Sequence, residues 1–242
     1  MTRGDEEDVK RDMAIARRML ASEFPWENLT TQFGARVPGE AAFWIVGPEC
    51  PEGALPEDAS KVGFDGRVLL QGAEPVARAG LHAAIFRARP DVGGICITSS
   101  PSHAALASHT APLATYYQYG GIFYQRCARV SLDCELDSPA GEAAAVKALG
   151  TKRALFIAGW GAINVSETLR YAFAEANCLM LSSTREIKAL RIGGAPMSHD
   201  IACSYQSNYL KPDVQFRMQM WLAAERRMTA GAPEVFGATL RR

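Results

Sequence analysis

Residues 81–101 read LHAAIFRARPDVGGICITSSP, and this stretch decides the fold class. Its alanine-rich first part predicts a helix over residues 76–89, which ends before Pro90 because proline cannot continue a helix. Residues 92–98 form a short apolar run, which is typical of a buried strand. That strand runs into a cluster of hydroxyl side chains, Thr98, Ser99, Ser100 and Ser102. A helix followed by a buried strand indicates an α/β protein.

The flanking sequence continues this mixture of helices and strands. Apolar residues at helical spacing predict a first helix over residues 5–22. Similar patterns predict strands at residues 41–46, 67–70, within 120–130 and at 154–157, and helices at 101–109, 138–150, 166–190 and 213–228. The chain has no repeat, linker or low-complexity tract. We therefore expect one three-layer domain over residues 1–242, with a helical tail at about 200–242.

Composition excludes several classes of partner. The 242 residues include 26 Lys plus Arg and 26 Asp plus Glu, and no block is rich in basic residues. Nucleic acid and anionic membranes both attract a basic surface, so we expect neither as a partner and predict a small-molecule substrate instead. No signal peptide and no apolar run of about 18 residues is visible, which predicts a cytoplasmic protein. Six scattered cysteines are expected to be reduced thiols, mostly buried.

Several segments, taken in order, resemble the class II aldolase/adducin family, and more closely its adducin-like branch. The resemblance covers about residues 24–197. It is carried by LTTQFGAR (29–36), AAFWIV (41–46), FDGRVLL (64–70), LHAAIFRARPDV (81–92), ICITSSP (95–101), ALGTKRALFIAGWG (148–161) and INVSETLRYA (163–172). The resemblance implies an αβα sandwich around a largely antiparallel sheet. It also implies a homo-oligomer, usually a tetramer, with active sites at subunit interfaces.

The residues that would bind a metal in this family differ here. Family enzymes bind a divalent metal through a His-x-His pair and a further histidine in an Asn-His-Gly turn. The first two positions hold Ile97 and Ser99, the third holds Trp160, and the family's acidic residue is Arg78. An indole donates through nitrogen and offers no lone pair to a metal. We therefore expect no metal and no other cofactor.

The phosphate-binding segments are altered as well. Where sugar-phosphate aldolases have Gly-Asn-x-Ser-x-Arg, residues 31–36 keep only Arg36. The serine pair before the acidic residue is replaced by Val76 and Ala77. The loss of several hydroxyl and amide donors disfavours a phosphate dianion. A sugar phosphate is therefore not expected as the substrate.

The replaced positions predict an apolar pocket with a few polar groups, which is a usual small-molecule site. Its walls would be Val76, Ile97 and Trp160, its polar groups Arg78, Ser99 and Ser100, and its outer substrate contact Arg36. Arg78 would hold an anion or stabilise an enolate, and Ser99 would supply a hydrogen bond. The alternative is that Trp160 and Ile97 simply fill the space of a lost metal. A second alternative is that Arg78 is a surface residue in a salt bridge. His82 is expected to make a buried structural hydrogen bond.

An aromatic stretch adds further candidates. Tyr117 and Tyr119 flank Gln118, which is a candidate substrate contact. The resemblance implies that a tyrosine of this region, Tyr117 or Tyr119, reaches across a subunit interface to exchange a proton with the substrate. Phenols at interfaces also serve as packing anchors. Two functions stay open at this point. One is a metal-independent enzyme of specialised metabolism that performs decarboxylation, retro-aldol cleavage or cyclisation of an apolar carbonyl compound. The other is a catalytically inactive adducin-like binding or scaffold protein.

Overall fold

The computed structural model describes residues 3–23, 31–47, 53–73, 76, 78–109, 113–211, 214–232 and 235. Ala77, expected beside the pocket, and Asp213, expected to begin the last helix, lie outside these residues. No helix of the described part is long and apolar enough to cross a membrane.

In the described part of the chain, eight strands form a single sheet in the order β4-β3-β2-β1-β5-β8-β7-β6. The strands are β1 (Gln32–Arg36), β2 (Ala42–Val46), β3 (Ser60–Gly63), β4 (Val68–Leu70), β5 (Gly94–Thr98), β6 (Cys127–Val130), β7 (Ala154–Ile157) and β8 (Gly161–Ser166). All neighbouring pairs are antiparallel except β6 and β7, which are parallel. The predicted α/β fold around a largely antiparallel sheet is confirmed.

The described residues include seven α-helices, most of which cover the two faces of this sheet. They are α1 (Arg3–Glu23), α2 (Ala79–Ala88), α3 (Pro101–Ala107), α4 (Pro139–Leu149), α5 (Leu169–Arg191), α6 (His199–Leu210) and α7 (Phe216–Gly231). Helices α2 and α4 pack on one face, whereas α1, α3, α5 and α7 pack on the other. The result is the three-layer arrangement of helix, sheet and helix that the sequence predicts.

The central strands read as continuous apolar runs because both of their faces are buried. In β5, Ile95 and Ile97 point into the core under α2 and α4, whereas Cys96 points towards α1 and α5. In β7, Leu155 and Ile157 lie in the α2 and α4 core, and Phe156 lies under α3 and α5. Successive side chains therefore stabilise opposite layers.

Local capping sets where the helices begin. Pro101 and Pro139 occupy first-turn positions, and the preceding Ser100 and Ser138 accept hydrogen bonds from backbone N–H groups. The prediction that Ser166 begins the long helix is wrong, because Ser166 ends β8 and Thr168 caps α5. The last helix also begins later than predicted, at Phe216.

Candidate functional site

Two turns of the chain meet where the apolar pocket was predicted. Strand β5 ends at Thr98, which pairs with Ala162 of β8, and β7 joins β8 through a tight turn that carries Trp160. A side-chain carbon on Gly161 would lie 2.9 Å from Ser99 Cα, so only glycine lets these turns approach so closely. The structure therefore brings Ile97, Ser99 and Trp160 to one place in the fold.

Arg78 completes this group from a third element. It precedes α2 with φ 52° and ψ 25°, a left-handed conformation, so the predicted helix over residues 76–89 begins only at Ala79. Its guanidinium carbon lies 5.2 Å from the centroid of the Trp160 ring. This distance is that of a cation–π contact, so the two residues form a pair.

The Arg78 guanidinium also forms a salt bridge with a carboxylate. The Arg78 Nε donates to Asp137 Oδ1 at 3.1 Å. The Arg78 side chain is 17% exposed and that of Asp137 is 52% exposed. Arg78 thus makes the salt bridge of the alternative interpretation, yet it lies mostly below the surface. Because Asp137 is well solvated, the ion pair is only weakly held and leaves much of the guanidinium charge available.

Apolar side chains surround the Arg78–Trp160 pair. Val76 and Trp160 are half-buried and pack against the core that contains the fully buried Ile97. Trp160 is therefore neither a core residue nor a free surface ring. One part of the indole stabilises the core, and the rest remains open.

His82 makes the buried hydrogen bond expected for it. The ring is fully buried, and its Nδ1 lies 3.1 Å from the carbonyl oxygen of Arg78. Burial lowers the pKa of His82 to about 4, and the nearby Arg78 charge adds to this effect. The imidazole is therefore neutral at pH 7 and donates to the Arg78 carbonyl, which holds the backbone at the unusual turn before α2.

The hydroxyl cluster after β5 divides into two groups. Ser99 is half-buried at the turn. Ser100 was predicted to bind substrate, but it is buried, and its Oγ accepts from the His103 backbone N–H as the cap of α3. Thr98 Oγ1 lies 2.5 Å from His103 Nδ1. Ser100 and Thr98 therefore hold the start of α3, and Ser99 is the hydroxyl residue whose backbone lies against Gly161, next to Trp160.

Comparison with known proteins identifies the family. Residues 11–183 match the family model described as "Class II Aldolase and Adducin N-terminal domain". This chain belongs to that family. A search of curated proteins finds no match.

Solved structures of class II aldolases share the fold of this chain. An L-fuculose 1-phosphate aldolase from Glaciozyma antarctica PI12 is 22% identical with a TM-score of 0.79, covering 93% of this chain and 92% of that one. An aldolase II superfamily protein from Pseudomonas syringae is 20% identical with a TM-score of 0.82, covering 94% of each chain. YgbL from Klebsiella pneumoniae, a putative aldolase/epimerase/decarboxylase, is 14% identical with a TM-score of 0.74, covering 83% of this chain and 98% of that one.

Arg36 of this class II aldolase domain does not join the Arg78–Trp160 pair. In the pairing of β1 with β5, Gln32 faces Ile97 and Ala35 faces Gly94, so Arg36 lies at the opposite end of the sheet. Its guanidinium donates to the carbonyl oxygens of Phe86, Arg89 and Val92 at 2.6, 3.0 and 2.8 Å. The predicted substrate contact is instead a cap for the end of α2.

A cavity of about 810 Å³ lies beside Arg36, at this opposite end of the class II aldolase sheet. Asp91 and Glu167 line it together with the start of α5. Asp91 is paired with Arg89 at 2.7 Å, and Glu167 is paired with Arg153 and Arg217, each at 3.0 Å. Because these carboxylates already have cationic partners, the cavity offers a ligand little uncompensated charge.

The aromatic stretch lies on the other face of the sheet from the Arg78–Trp160 pair. The Tyr117 and Tyr119 rings meet at 4.8 Å, edge to face, and Tyr119 packs 5.0 Å from Phe216 of α7. Gln118 Oε1 accepts from the Tyr209 hydroxyl of α6 at 2.9 Å. Within one chain these residues therefore anchor the C-terminal helices. The fold does not bring Tyr117, Gln118 or Tyr119 to Arg78 of the same subunit.

Two carboxylates near Arg78 were missed by the sequence analysis of this class II aldolase domain. Asp137 directly precedes the cap of α4, and Glu142 lies on its first turn. Glu142 packs on Gly80, where an added side-chain carbon would lie 2.8 Å from the Glu142 carboxyl carbon. Burial raises the pKa of Glu142, and the nearby Asp137 adds to the rise, although Arg87 opposes it. The arginine at position 78 is the sequence feature that could have indicated them, because a partly buried positive charge favours an acidic residue nearby.

Proposed function

We propose that this chain is a metal-independent class II aldolase-like enzyme that breaks or forms a carbon–carbon bond in an apolar carbonyl compound. Decarboxylation, retro-aldol cleavage and cyclisation of such compounds share an enolate. One observation carries the proposal: the Arg78 guanidinium lies 5.2 Å over the Trp160 ring, paired with a single half-exposed carboxylate. A cation fixed against an apolar wall can stabilise an enolate oxygen as it forms.

The free part of the guanidinium supports this role. Among described residues, Arg78 uses only Nε for a side-chain hydrogen bond, to Asp137. Its two terminal nitrogens are left to donate to an oxyanion in a planar, two-pronged arrangement. Because arginine keeps its proton near neutral pH, it acts as an electrostatic group and not as a proton donor. Ser99 is the candidate for a further hydrogen bond.

The donor chemistry of the site supports catalysis without a metal. Ile97 has no donor atom, Trp160 has no nitrogen lone pair, and Ser99 offers one weakly binding hydroxyl. Among the residues described here, no group of three His, Cys, Asp or Glu side chains is placed to hold an ion. The three side chains therefore do not fit a divalent metal, and no step of the proposed reaction depends on one. Val76 and Trp160 favour an apolar or aromatic substrate.

We also propose a tetramer of such domains in which a tyrosine reaches the site of a neighbouring subunit. Tyr117 and Tyr119 are half-buried, which suits an interface. Light scattering at micromolar concentration is expected to give about four times the 26.2 kDa mass of one chain. A species of single-chain mass would contradict this proposal and would remove tyrosine from the reaction.

Arg78→Met tests the proposed enzyme, because methionine keeps much of the length and loses the charge. Benzoylacetate serves as probe, since it carries a phenyl ring for Trp160 and forms an enolate when carbon dioxide leaves. Release of carbon dioxide by the wild type is expected to exceed that by Arg78→Met by about 100-fold in kcat/KM. Arg67→Met is the matched control, because the Arg67 side chain is 86% exposed and its loss should change the rate by less than about twofold.

The alternative, a catalytically inactive adducin-like binding or scaffold protein, has one supporting observation. Trp160 is half-buried and packs against the same core as Val76 and Ile97. If wild type and Arg78→Met process benzoylacetate, phenylpyruvate and related keto acids no faster than the uncatalysed reaction, the enzyme proposal fails. Trp160→His then distinguishes the two functions. If the indole only fills the core, truncating it should lower the free energy of unfolding by about 3–5 kcal/mol.

A further inference from the structure

A cysteine and a histidine of α6 meet a tyrosine of the turn at residue 124, away from the Arg78–Trp160 pair. Cys203 and His199 lie one turn apart on α6, with Cys203 Sγ 3.6 Å from His199 Nε2. The Tyr124 hydroxyl lies 2.9 Å from His199 Nδ1, and the two rings are 5.7 Å apart. Cys203 Sγ also lies 3.8 Å from His199 Nδ1, so Nδ1 has the Tyr124 hydroxyl as its close partner and Nε2 is the ring nitrogen nearer to the thiol.

This arrangement is that of a nucleophile, a base and a group that orients the base. When Nδ1–H donates to the Tyr124 oxygen, Nε2 keeps a free lone pair, and at 3.6 Å from Cys203 Sγ it can accept the thiol proton. Once His199 is protonated, both of its N–H groups keep an acceptor, the Tyr124 oxygen and the thiolate. The imidazole can thus take and return a proton without losing a hydrogen bond.

Cys203 is more accessible than most of the other described cysteines. Cys96 and Cys178 are buried, and burial raises their pKa values. Burial also raises the pKa of Cys127, to about 12. Cys203 is half-buried beside an exposed histidine, and Cys134 is exposed on the surface. Cys134 is therefore the natural comparison for Cys203 among the described cysteines.

Tyr124 is held firmly enough to orient His199. Its backbone carbonyl accepts from Gln206 Nε2 of α6 at 2.6 Å. The backbone of α6 also lies against Gly121, where an added side-chain carbon would be 2.6 Å from Tyr205 Cβ. The turn that carries Tyr124 and the helix that carries His199 and Cys203 are thus packed as one unit.

We propose that Cys203 is a thiol–disulfide exchange site that takes small-molecule disulfides, with His199 as its proton acceptor. The Cys203 proton moves to His199 Nε2, and the sulfur attacks one sulfur of the disulfide. The disulfide bond breaks as the new one forms, and the departing thiolate takes the proton from His199. One mixed disulfide and one free thiol result, and a dithiol reductant reverses the modification.

The test measures the rate of mixed-disulfide formation at each cysteine by peptide mass spectrometry on the full chain. Hydroxyethyl disulfide is the probe because it is uncharged, and Asp133, Glu135 and Asp200 lie beside the two thiols compared. We expect Cys203 to react at least about fivefold faster than Cys134, since assisted proton removal outweighs the accompanying loss of nucleophilicity.

Three variants identify the cause of this difference. His199→Gln is expected to bring the Cys203 rate to within about twofold of the Cys134 rate, and Tyr124→Phe to lower it part of the way. Asp200→Asn is the control on the same helical turn and should leave the rate within about twofold of wild type. The proposal is overturned if Cys203 is no faster than Cys134, if His199→Gln retains the fast rate, or if Asp200→Asn slows it as much. Far-ultraviolet circular dichroism of each variant checks that α6 is still folded.

Discussion

Replacing Glu175 by glutamine is expected to lower the free energy of unfolding by about 3–5 kcal/mol. Glu175 of α5 is fully buried and accepts hydrogen bonds at 2.7 Å from Arg153, which precedes β7, and at 2.7 Å from Arg217 of α7. The Ser166 hydroxyl at the end of β8 adds a third donor at 3.1 Å. Glutamine would leave two mostly buried guanidinium groups facing a neutral amide, and an uncompensated buried charge is costly.

Glu167→Gln is the matched control for this prediction. Glu167 contacts the same two arginines, Arg153 and Arg217, at 3.0 Å each, but its side chain is 51% exposed. Water can replace much of the interaction between Glu167 and the two arginines. We therefore expect Glu167→Gln to lower the free energy of unfolding by about 1 kcal/mol. Urea unfolding monitored by circular dichroism measures both variants. Equal losses for the two glutamates would show that burial of Glu175 is not the cause.

Acid is expected to destabilise the fold through two buried histidines. Burial lowers the pKa of His82 to about 4 and that of His103 to about 3. Their ordinary pKa is 6.5, so the unfolded chain binds more protons as the pH falls below that value. Each histidine then removes about 1.4 kcal/mol of stability per pH unit.

Glu186 opposes this effect in the same pH range. It is buried in α5, and burial raises its pKa from 4.5 to about 7, although the Ala114 N–H and Arg129 favour its charged form. The folded state therefore binds the extra proton between pH 7 and 4.5, and protonation of Glu186 adds stability there. From these three groups alone, two histidines against one glutamate leave a loss of about 1.4 kcal/mol per pH unit between pH 6.5 and 4.5, and Glu142, whose pKa is also raised by burial, reduces this loss.

Glu186→Gln isolates the two opposing contributions. Glutamine can still accept from the Ala114 N–H, which Glu186 Oε1 does at 3.2 Å. The variant should therefore fold, and its stability should fall more steeply than that of the wild type, by about 1.4 kcal/mol more per pH unit. Urea unfolding at several pH values between 6.5 and 4.5 measures the slopes, and Glu167 contributes little there because its pKa is lowered to about 2. Parallel slopes for wild type and variant would contradict the assignment.

The elements predicted from sequence are those whose signals are local. Helix α4 was predicted from Ser138 and Pro139, and β7 from its apolar run, and both are confirmed. Strands β1, β3 and β8 were not predicted, and α6 was predicted only as part of a helical tail at about 200–242. Gly34 interrupts the apolar sequence pattern of β1, and the polar Asn164 interrupts that of β8. These short strands are stabilised by their neighbours in the sheet, so their own residues give only a weak signal.

The candidate site was also predicted only in part. The sequence indicated an altered polar pocket around Arg78 and Trp160, and the fold brings these residues together. It could not show that Arg36 caps α2, because that role depends on carbonyl groups 50 to 56 residues away along the chain. The pairing of Arg78 with Asp137 was hidden for the same reason, since the two residues are 59 positions apart.

By itself the sequence determined the alternation of helices and strands, the family, and the chemistry available at positions 78, 97, 99 and 160. These properties follow from side-chain type, spacing and order, which the chain carries before it folds. Only the tertiary structure decided which face of the sheet receives the tyrosines, which end receives Arg36, and that His199 lies between Cys203 and Tyr124. The physical reason is that such contacts depend on strand order and helix packing, which join residues distant in sequence through the burial of a shared core.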